Sequence, residues 1–275
     1  MMTHDVMNAG RIDWRATFAG RKPRYVDAPL IIDISDNQGI IDWGVPGWDE
    51  VEVVIIRASV GNRKDKYFPL NWAGARRRKK LRMAYHALYP ALSIAAQVSL
   101  FHNQMGDDKG ELPPCWDCER IDGCTQQQIM YAAQYGLDKT NIWYENIPVL
   151  YSSVYYLEKL FDKKPWWVNV YTLYLAHYLA ANPISGYAEE HPGPLPLPEW
   201  IERKNVAIHQ TAGKGIGKLR VPGLGVQSLN LDYDRYLHGK ASLYAWAGVA
   251  LPAPAPTTAE ILADHERRIL LLEAR

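Results

Sequence analysis

Two acidic residues in the middle of the chain have the type and spacing that acid–base chemistry needs. Asp117 and Glu119 stand two residues apart in the segment Pro-Pro-Cys-Trp-Asp-Cys-Glu, within a short apolar run. Alternate side chains of a strand share a face, so the two carboxyl groups are expected to lie side by side, with Cys118 on the opposite face. Neighbouring carboxyl groups do not both ionise easily, and the one with a raised pKa can act as a general acid. Such a pair is typical of glycoside hydrolases.

Length, net charge and composition limit the classes of protein to which this chain can belong. A chain of 275 residues with 48% hydrophobic residues is long enough for one large α/β domain or two smaller ones. The net charge of +1 argues against a nucleic-acid partner, which would require a basic surface. Tyr (17) and Trp (10) far outnumber Phe (4), and such rings with a polar group suit a groove that stacks on sugars.

The N-terminal residues predict that there is no targeting segment, and the cysteines predict that there is no bound metal. Residues 1–24 contain no apolar run, so we expect no signal peptide, no membrane partner and synthesis in the cytoplasm. Cys115, Cys118 and Cys124 lack a fourth ligand at a suitable spacing, so no metal is expected, and the sequence indicates no other cofactor. We interpret these cysteines as free thiols around one strand.

Alternating strand-like and helix-like segments predict an α/β fold, an irregular (β/α) barrel of the TIM type with parallel strands. The predicted strands are residues 30–35, 53–59, 82–88, 113–119, 148–152, 172–178, 206–211 and 228–233. The predicted helices are residues 67–80, 94–105, 125–137 and 154–161. A Pro-rich loop (182–200) and a Gly-rich, hairpin-like stretch (213–225) make the last third irregular.

The chain divides into four predicted regions. These are an N-terminal arm (1–24), the barrel (25–247), a Pro/Ala linker (248–257) and a C-terminal helix (258–275). In the helix, Leu262, His265, Ile269 and Leu272 have the spacing of a short coiled-coil seam. This segment is compatible with docking on its own domain, with weak self-association between copies, or with a separate partner.

The predicted strand ends are rich in polar and aromatic residues. The active site of such a barrel is built at the C-terminal ends of its strands. Four acids, Asp33, Asp117, Glu119 and Asp232, are therefore expected to face one mouth. We expect Asp234 to face away from the pocket or to pair with Arg235.

The same residues resemble a known family, the family 25 glycoside hydrolases, which are lysozymes that cleave peptidoglycan. Eight segments match its motifs in the expected order over residues 25–239. They are Asp33-Ile34-Ser35, Ile56-Arg57-Ala58-Ser59, Tyr85-His86, Asp117-x-Glu119, Tyr151-Ser152-Ser153, Leu175-Ala176-x-Tyr178, His209-Gln210 and Leu231-Asp232-Tyr233-Asp234.

The resemblance implies a muramidase that cuts the β-1,4 bond between N-acetylmuramic acid and N-acetylglucosamine without a metal. Glu119 would be the general acid/base, and Asp117 would orient the acetamido group or stabilise charge. Asp33 and Asp232 would complete the catalytic set. The implied substrate-binding residues are Arg57, Tyr85, His86, Tyr151, Tyr178, His209 and Gln210. The reaction is open to an enzyme nucleophile or to the substrate's own N-acetyl group.

Two other functions fit the sequence less well. A chitinase-like D-x-D-x-E motif would need Asp at the position of Cys115, so the sequence excludes it. A non-catalytic glycan-binding barrel is disfavoured because all four acids are present. A muramidase without a signal peptide resembles phage lysins, either released through a separate membrane pore or carried on the virion.

Overall fold

The computed structural model describes residues 28–161, 164–178, 195–214 and 217–252. The predicted N-terminal arm and C-terminal helix, together with the self-association assigned to that helix, lie outside these residues. The boundaries of the four regions therefore stay predictions.

The described residues form nine strands and five helices. The strands are β1 (Leu30–Ile34), β2 (Val53–Val60), β3 (Arg63–Lys64), β4 (Leu81–Ala87), β5 (Cys115–Asp117), β6 (Val149–Ser153), β7 (Thr172–Ala176), β8 (Val206–Ala212) and β9 (Asp232–Tyr236). The helices are α1 (Phe68–Arg77), α2 (Ile94–Met105), α3 (Gln126–Tyr144), α4 (Val154–Leu160) and α5 (Lys240–Trp246). Short 3-10 turns occur at Asp36–Gln38, Pro46–Glu50, Trp166–Val170, Arg203–Asn205 and Val221–Leu224.

Eight of the strands close into a barrel, which confirms the predicted α/β barrel. Strands β1, β2 and β4 to β8 are joined by parallel pairings. Strand β9 runs antiparallel between β8 and β1 and so closes the ring. The two-residue β3 extends β2 in a short antiparallel pairing outside the ring.

The strands are apolar because both of their faces are covered, as expected for parallel strands inside a helical layer. In β2, the sequence Val-Val-Ile-Ile-Arg-Ala-Ser-Val has seven buried positions out of eight. Its side chains alternate between a core within the barrel, which contains Val53 and Ile55, and a core beneath the helices, which contains Val54 and Ile56.

Polar caps fix where the helices start, and therefore the lengths of the loops at the mouth. Ser93 caps α2 by accepting a hydrogen bond from the amide of Ala96. Thr125 and Gln128 form a reciprocal capping box at the start of α3. Ser153, the last residue of β6, caps α4 directly.

Two strand predictions differ from the structure. The strand predicted at residues 228–233 begins instead at Asp232, is antiparallel, and continues to Tyr236. The strand predicted at residues 113–119 is confined to Cys115–Asp117, because the preceding prolines have no amide hydrogen to donate to a ladder.

The helix predicted at residues 125–137 extends to Tyr144. The predicted irregularity of the last third is confirmed by the antiparallel β8–β9 connection.

Trp116 anchors the strand that carries Asp117. It is fully buried under the helical layer, and its indole Nε1 donates to Thr140 Oγ1 of α3 at 2.9 Å. Its ring faces Gly136, where an added Cβ would come within 2.9 Å of the ring. The indole therefore fixes both the depth of β5 and its distance from α3.

We predict that Trp116→Ala lowers the free energy of unfolding by about 3–5 kcal/mol, because it opens a large cavity and removes a buried hydrogen bond. Trp166→Ala is the matched control, since Trp166 is 76% exposed. This control should change stability by no more than about 0.5 kcal/mol. Urea denaturation followed by circular dichroism measures both, and equal effects for the two variants would contradict the anchoring role.

Candidate active site

A small cavity opens at the mouth of the barrel where the parallel strands end. Its volume is about 90 Å³. Its lining comes from all eight strands of the barrel and from Glu119, which follows β5. The lining residues are Asp33, Ile55, Tyr85, Cys115, Asp117, Glu119, Tyr151, Tyr174, Gln210 and Asp232. The four predicted catalytic acids are thus brought together in one place.

Asp117 and Glu119 lie next to each other at the end of β5. The chain stays extended past Asp117 because the amide of Cys118 donates to the carbonyl of Tyr151 at 2.9 Å. Burial raises the pKa of Asp117 well above its usual range, and negative charge on Glu119 and Asp33 adds to the rise. Burial likewise raises the pKa of Glu119, opposed by the Tyr151 hydroxyl and reinforced by Asp33. Glu119 can therefore carry a proton at a pH where an exposed glutamate would be ionised.

Asp33 and Asp232 face each other on paired positions of β1 and β9. Burial raises the pKa of Asp33 to about 6, although hydrogen bonds from Tyr174 and Gln210 oppose the rise. Burial, followed by the charges of Asp33 and Glu119, raises the pKa of Asp232 to about 8. At neutral pH, Asp33 is therefore mostly ionised while Asp232 mostly keeps its proton.

Asp232 reaches the mouth in a way that the sequence did not predict. It opens its strand rather than ending it. Because β9 is antiparallel to its neighbours, the first residue of β9 lies at the same end of the barrel as the last residues of the parallel strands.

The Gln210 side-chain amide organises one wall of the cavity. Its Nε2 donates to Asp33 Oδ2 at 2.8 Å and to the Tyr174 hydroxyl oxygen at 3.2 Å. Its Oε1 accepts hydrogen bonds from the hydroxyls of Tyr151, at 2.7 Å, and Tyr178. Both protons and both lone pairs of the amide are thus used, so the orientation of Gln210 is fixed.

Arg57 lies beside the cavity but is not part of its lining. Its Nε donates to Asp65 Oδ2 at 2.9 Å, and its Nη2 is ion-paired with Asp36. Asp36 also pairs with Arg63 at 2.8 Å. The Arg57 charge still lowers the pKa of Asp33 and of Asp117, after the larger causes already named. The geometry therefore favours an electrostatic role for Arg57 over direct substrate contact.

Neither of the two histidines predicted to bind the substrate lies in the cavity. His86 is fully buried outside the cavity, between Ser59 Oγ at 2.8 Å from Nδ1 and Gln97 Oε1 at 2.9 Å from Nε2. His209 is also fully buried, with Nε2 2.9 Å from the carbonyl oxygen of His177. Burial lowers the pKa of each imidazole to about 4, so both rings stay neutral. Their strand neighbours Tyr85 and Gln210 face the cavity, so alternation along the strands would have assigned both histidines to the outer face.

Of the two alternatives expected for Asp234, an orientation away from the inside of the barrel is wrong. This side chain is completely buried, and its Oδ1 lies 2.7 Å from the hydroxyl oxygen of Tyr174. Because Asp234 has the same strand parity as Asp232, it points into the barrel, below the cavity. Sequence reasoning also missed Tyr174, which lines the cavity. The remaining predicted binding residues, Tyr85 and Tyr151, line it, while Tyr178 is 49% exposed at its rim next to Gln210.

The cysteines are free thiols, as predicted. Cys115 and Cys118 are buried and Cys124 is partly exposed. Within the described ranges, no group of three or more His, Cys, Asp or Glu side chains could hold a metal ion. The helices in the same ranges include none with the length and apolar character needed to cross a bilayer.

Comparison with known proteins places this chain in a family. The sequence model of the glycosyl hydrolases family 25 matches residues 32–210. A search of curated protein sequences finds no match. Three of the similar solved structures have the same fold.

The lysozyme from Streptomyces coelicolor is 20% identical, with 81% of this chain and 98% of that one covered and a TM-score of 0.63. A muramidase from Trichobolus zukalii is 20% identical, with 80% and 99% covered and a TM-score of 0.61. The catalytic domain of an endolysin from a bacteriophage of Listeria monocytogenes is 17% identical, with 80% and 98% covered and a TM-score of 0.59.

The chain belongs to family 25 of the glycosyl hydrolases. It is therefore a glycoside hydrolase of the lysozyme class, and its substrate is peptidoglycan. The predicted family and enzyme class are confirmed.

We predict that Asp232→Asn reduces the pH dependence of stability. The folded-state pKa of about 8 exceeds the ordinary value of 3.8. The stabilising contribution of the protonated carboxyl is therefore complete below the ordinary pKa and is lost as the pH rises through 8. Urea denaturation between pH 4 and 8 should show a smaller loss of unfolding free energy in the variant than in the wild type. Asp107→Asn, at an exposed position, is the control. Identical slopes for wild type and Asp232→Asn would contradict the assignment.

Proposed function

We propose that the protein is an N-acetylmuramidase that hydrolyses the β-1,4 bond between N-acetylmuramic acid and N-acetylglucosamine, with Glu119 as general acid/base and Asp117 as its partner. The observation that carries the proposal is the position of Glu119, a partly buried acid with a raised pKa beside a second carboxyl in the cavity. Protonated Glu119 donates to the glycosidic oxygen as the bond to the leaving sugar breaks.

The other acids complete the electrostatics of the reaction. The departing sugar leaves positive, oxocarbenium-like charge on the ring. Asp33, with its pKa of about 6, supplies negative charge to the cavity at neutral pH. Among the described residues, no hydrogen bond occupies the carboxyl group of Asp117 or Asp232, so both are available to the substrate. Asp117 then orients the acetamido group or stabilises charge. Glu119 supplies the proton whether the attack comes from a carboxylate or from the N-acetyl oxygen.

The aromatic lining suits a sugar ring. Tyr85 and Tyr151 line the cavity, and Tyr178 is partly exposed at its rim. Such rings can stack on the apolar face of a sugar while their hydroxyls bind its polar edge. Tyr85, Tyr151, Tyr178 and Gln210 are therefore proposed as the substrate-binding residues, with Arg57 acting through its charge.

The biological role follows from the reaction. Cleavage of the glycan strands degrades the bacterial cell wall and lyses the cell. We propose a phage lysin, acting either after release into the infected cell or from the virion. The structural similarity to a protein described as a bacteriophage endolysin supports this role.

We predict that Glu119→Gln lowers the rate of wall lysis by about 10²-fold or more without unfolding the protein, because the amide keeps the shape but has no proton to transfer. The measurement is loss of turbidity of purified cell walls, with circular dichroism to verify folding. Glu158→Gln, at an exposed position of α4, is the control and should behave as wild type. A folded Glu119→Gln variant within a few-fold of wild type would exclude Glu119 as the acid.

The bond that is cut should be visible in the products. Fragments released from purified walls and reduced with borohydride should carry the reduced N-acetylmuramic acid end, identified by mass spectrometry. Reduced N-acetylglucosamine ends would instead show cleavage of the other glycosidic bond. Binding to walls with no released fragments would favour a non-catalytic glycan-binding barrel.

A further inference from the structure

One hydroxyl group lies between two carboxyl groups inside the barrel. The hydroxyl oxygen of Tyr174 is 3.0 Å from Asp33 Oδ2 and 2.7 Å from Asp234 Oδ1. Gln210 Nε2 approaches the same oxygen at 3.2 Å and also lies 2.8 Å from Asp33 Oδ2. All four groups come from different strands, so their positions are set by the barrel rather than by a local turn.

The number of available protons constrains this arrangement. The Tyr174 hydroxyl has one hydrogen and can donate to only one carboxyl group. The contact with the other carboxyl is a hydrogen bond only if that carboxyl is protonated and donates to the hydroxyl oxygen. If both carboxyl groups were ionised, one of them would lie against the oxygen lone pairs of Tyr174, deep in the protein.

The surroundings decide which carboxyl carries the proton. Asp33 accepts a second hydrogen bond from Gln210 and lies in the open cavity near the charge of Arg57. Asp234 is 0% exposed, and its Oδ2 has no hydrogen-bond partner in the part of the chain that the structure describes. An ionised carboxylate with one unpaired oxygen is costly at such a site, whereas the carbonyl oxygen of a neutral acid is tolerated there.

We propose that Asp234 is a permanently protonated positioning residue, which donates to Tyr174 so that the Tyr174 hydroxyl donates to Asp33 and holds that carboxylate ionised at the catalytic mouth. The hydrogen bonds then run in one direction, from Asp234 through Tyr174 to Asp33. Asp234 touches no substrate in this scheme. Its protonation state determines which of the two carboxyl groups receives the Tyr174 proton.

The charges around Asp234 are consistent with a neutral acid. Burial raises the pKa of Asp234 well above its usual range, and the charges of Asp33 on β1 and Asp232 on β9 add to the rise. The Tyr174 hydroxyl on β7 and the Arg235 guanidinium on β9 act in the opposite direction but are outweighed. Gln210 on β8 is neutral. Burial also raises the pKa of Tyr174, so its hydroxyl keeps its proton.

The first test is spectroscopic and does not depend on what the enzyme cleaves. Infrared spectra of the full-length protein, with 13C-labelled aspartate, are recorded at pH 7 in the region of the C=O stretch of protonated carboxyl groups. Asp232 and Asp117 also have raised pKa values and can contribute to this region, so the result is read as a difference: Asp234→Asn should lose one protonated-aspartate component that the wild type shows, and the others should remain. Asp107→Asn, which changes an exposed aspartate, should leave that band intact.

Tyr174→Phe provides a second spectroscopic variant if Asp234→Asn does not fold. Loss of the hydroxyl removes the acceptor of the Asp234 proton, so the same band should move to higher frequency. The proposal would be overturned if the spectrum of Asp234→Asn were the same as that of the wild type. It would also be overturned if the band kept its frequency in Tyr174→Phe.

The second test is the pH–rate profile of wall lysis, and it rests on the proposed function. If Asp234 is neutral, Asp234→Asn replaces one neutral donor by another, and the acidic limb of the profile should stay at the wild-type pH. If Asp234 is ionised, the substitution removes a negative charge near Asp33, so the limb should move about one pH unit or more towards acid. Such a shift would overturn the proposal.

Tyr174→Phe should move the acidic limb of the profile towards higher pH, because Asp33 loses one of its two hydrogen-bond donors. An acidic limb at the wild-type pH would show that Tyr174 does not donate to Asp33. A wild type without lytic activity would refute the proposed function. The infrared result alone would then show whether Asp234 is protonated.

Discussion

The crowding of carboxyl groups at one end of a closed barrel is the constraint on which the site depends. Asp33, Asp117, Glu119, Asp232 and Asp234 all point inward within two residue layers of each other. Like charges in a space with little water cannot all be ionised, so the fold has to retain protons there. The raised pKa of Glu119, which the proposed role as general acid requires, is therefore produced by burial and by the neighbouring carboxyl groups and not by one dedicated partner. Arg57 offsets only part of this charge, because it is shared with Asp36 and Asp65.

A rigid polar wall determines how the protons are shared. Gln210 cannot rotate its amide without breaking hydrogen bonds to residues on three other elements. It presents N–H groups to Asp33 and an oxygen to the tyrosine hydroxyls, so the side of the cavity near Asp33 favours negative charge. On the opposite side, around Asp117 and Glu119, the described residues include a smaller set of donors, chiefly the Tyr151 hydroxyl, and burial there favours the neutral acids. The cavity is thus polarised before any substrate arrives.

Much of the fold and of the site could be predicted from the sequence because local patterns encode them. Apolar runs separated by helix-length segments gave the barrel, and the polar residues at the strand ends identified Asp33, Asp117, Glu119, Tyr85, Tyr151 and Gln210. Strand alternation, applied consistently, would also have moved His86 and His209 to the outer face and Asp234 to the inner one. The direction of β9 was not predictable in this way, because a short strand has the same local pattern in either direction. The partners of Arg57 could not be predicted either, because Asp36 and Asp65 come close to Arg57 only when the loops are folded.

The reversed direction of β9 also determines where the two described ends of the chain are. Strand β1 starts, and β9 finishes, at the face opposite the cavity. Helix α5 follows β9 there and packs Leu243 and Tyr244 under the barrel core, with the Tyr244 hydroxyl 2.8 Å from Glu52 at the start of β2. Both ends of the described barrel thus lie at one pole, and the cavity opens at the other. A module fused at either end can anchor the enzyme to a surface from behind, so that the cavity faces away from the tether and towards the wall.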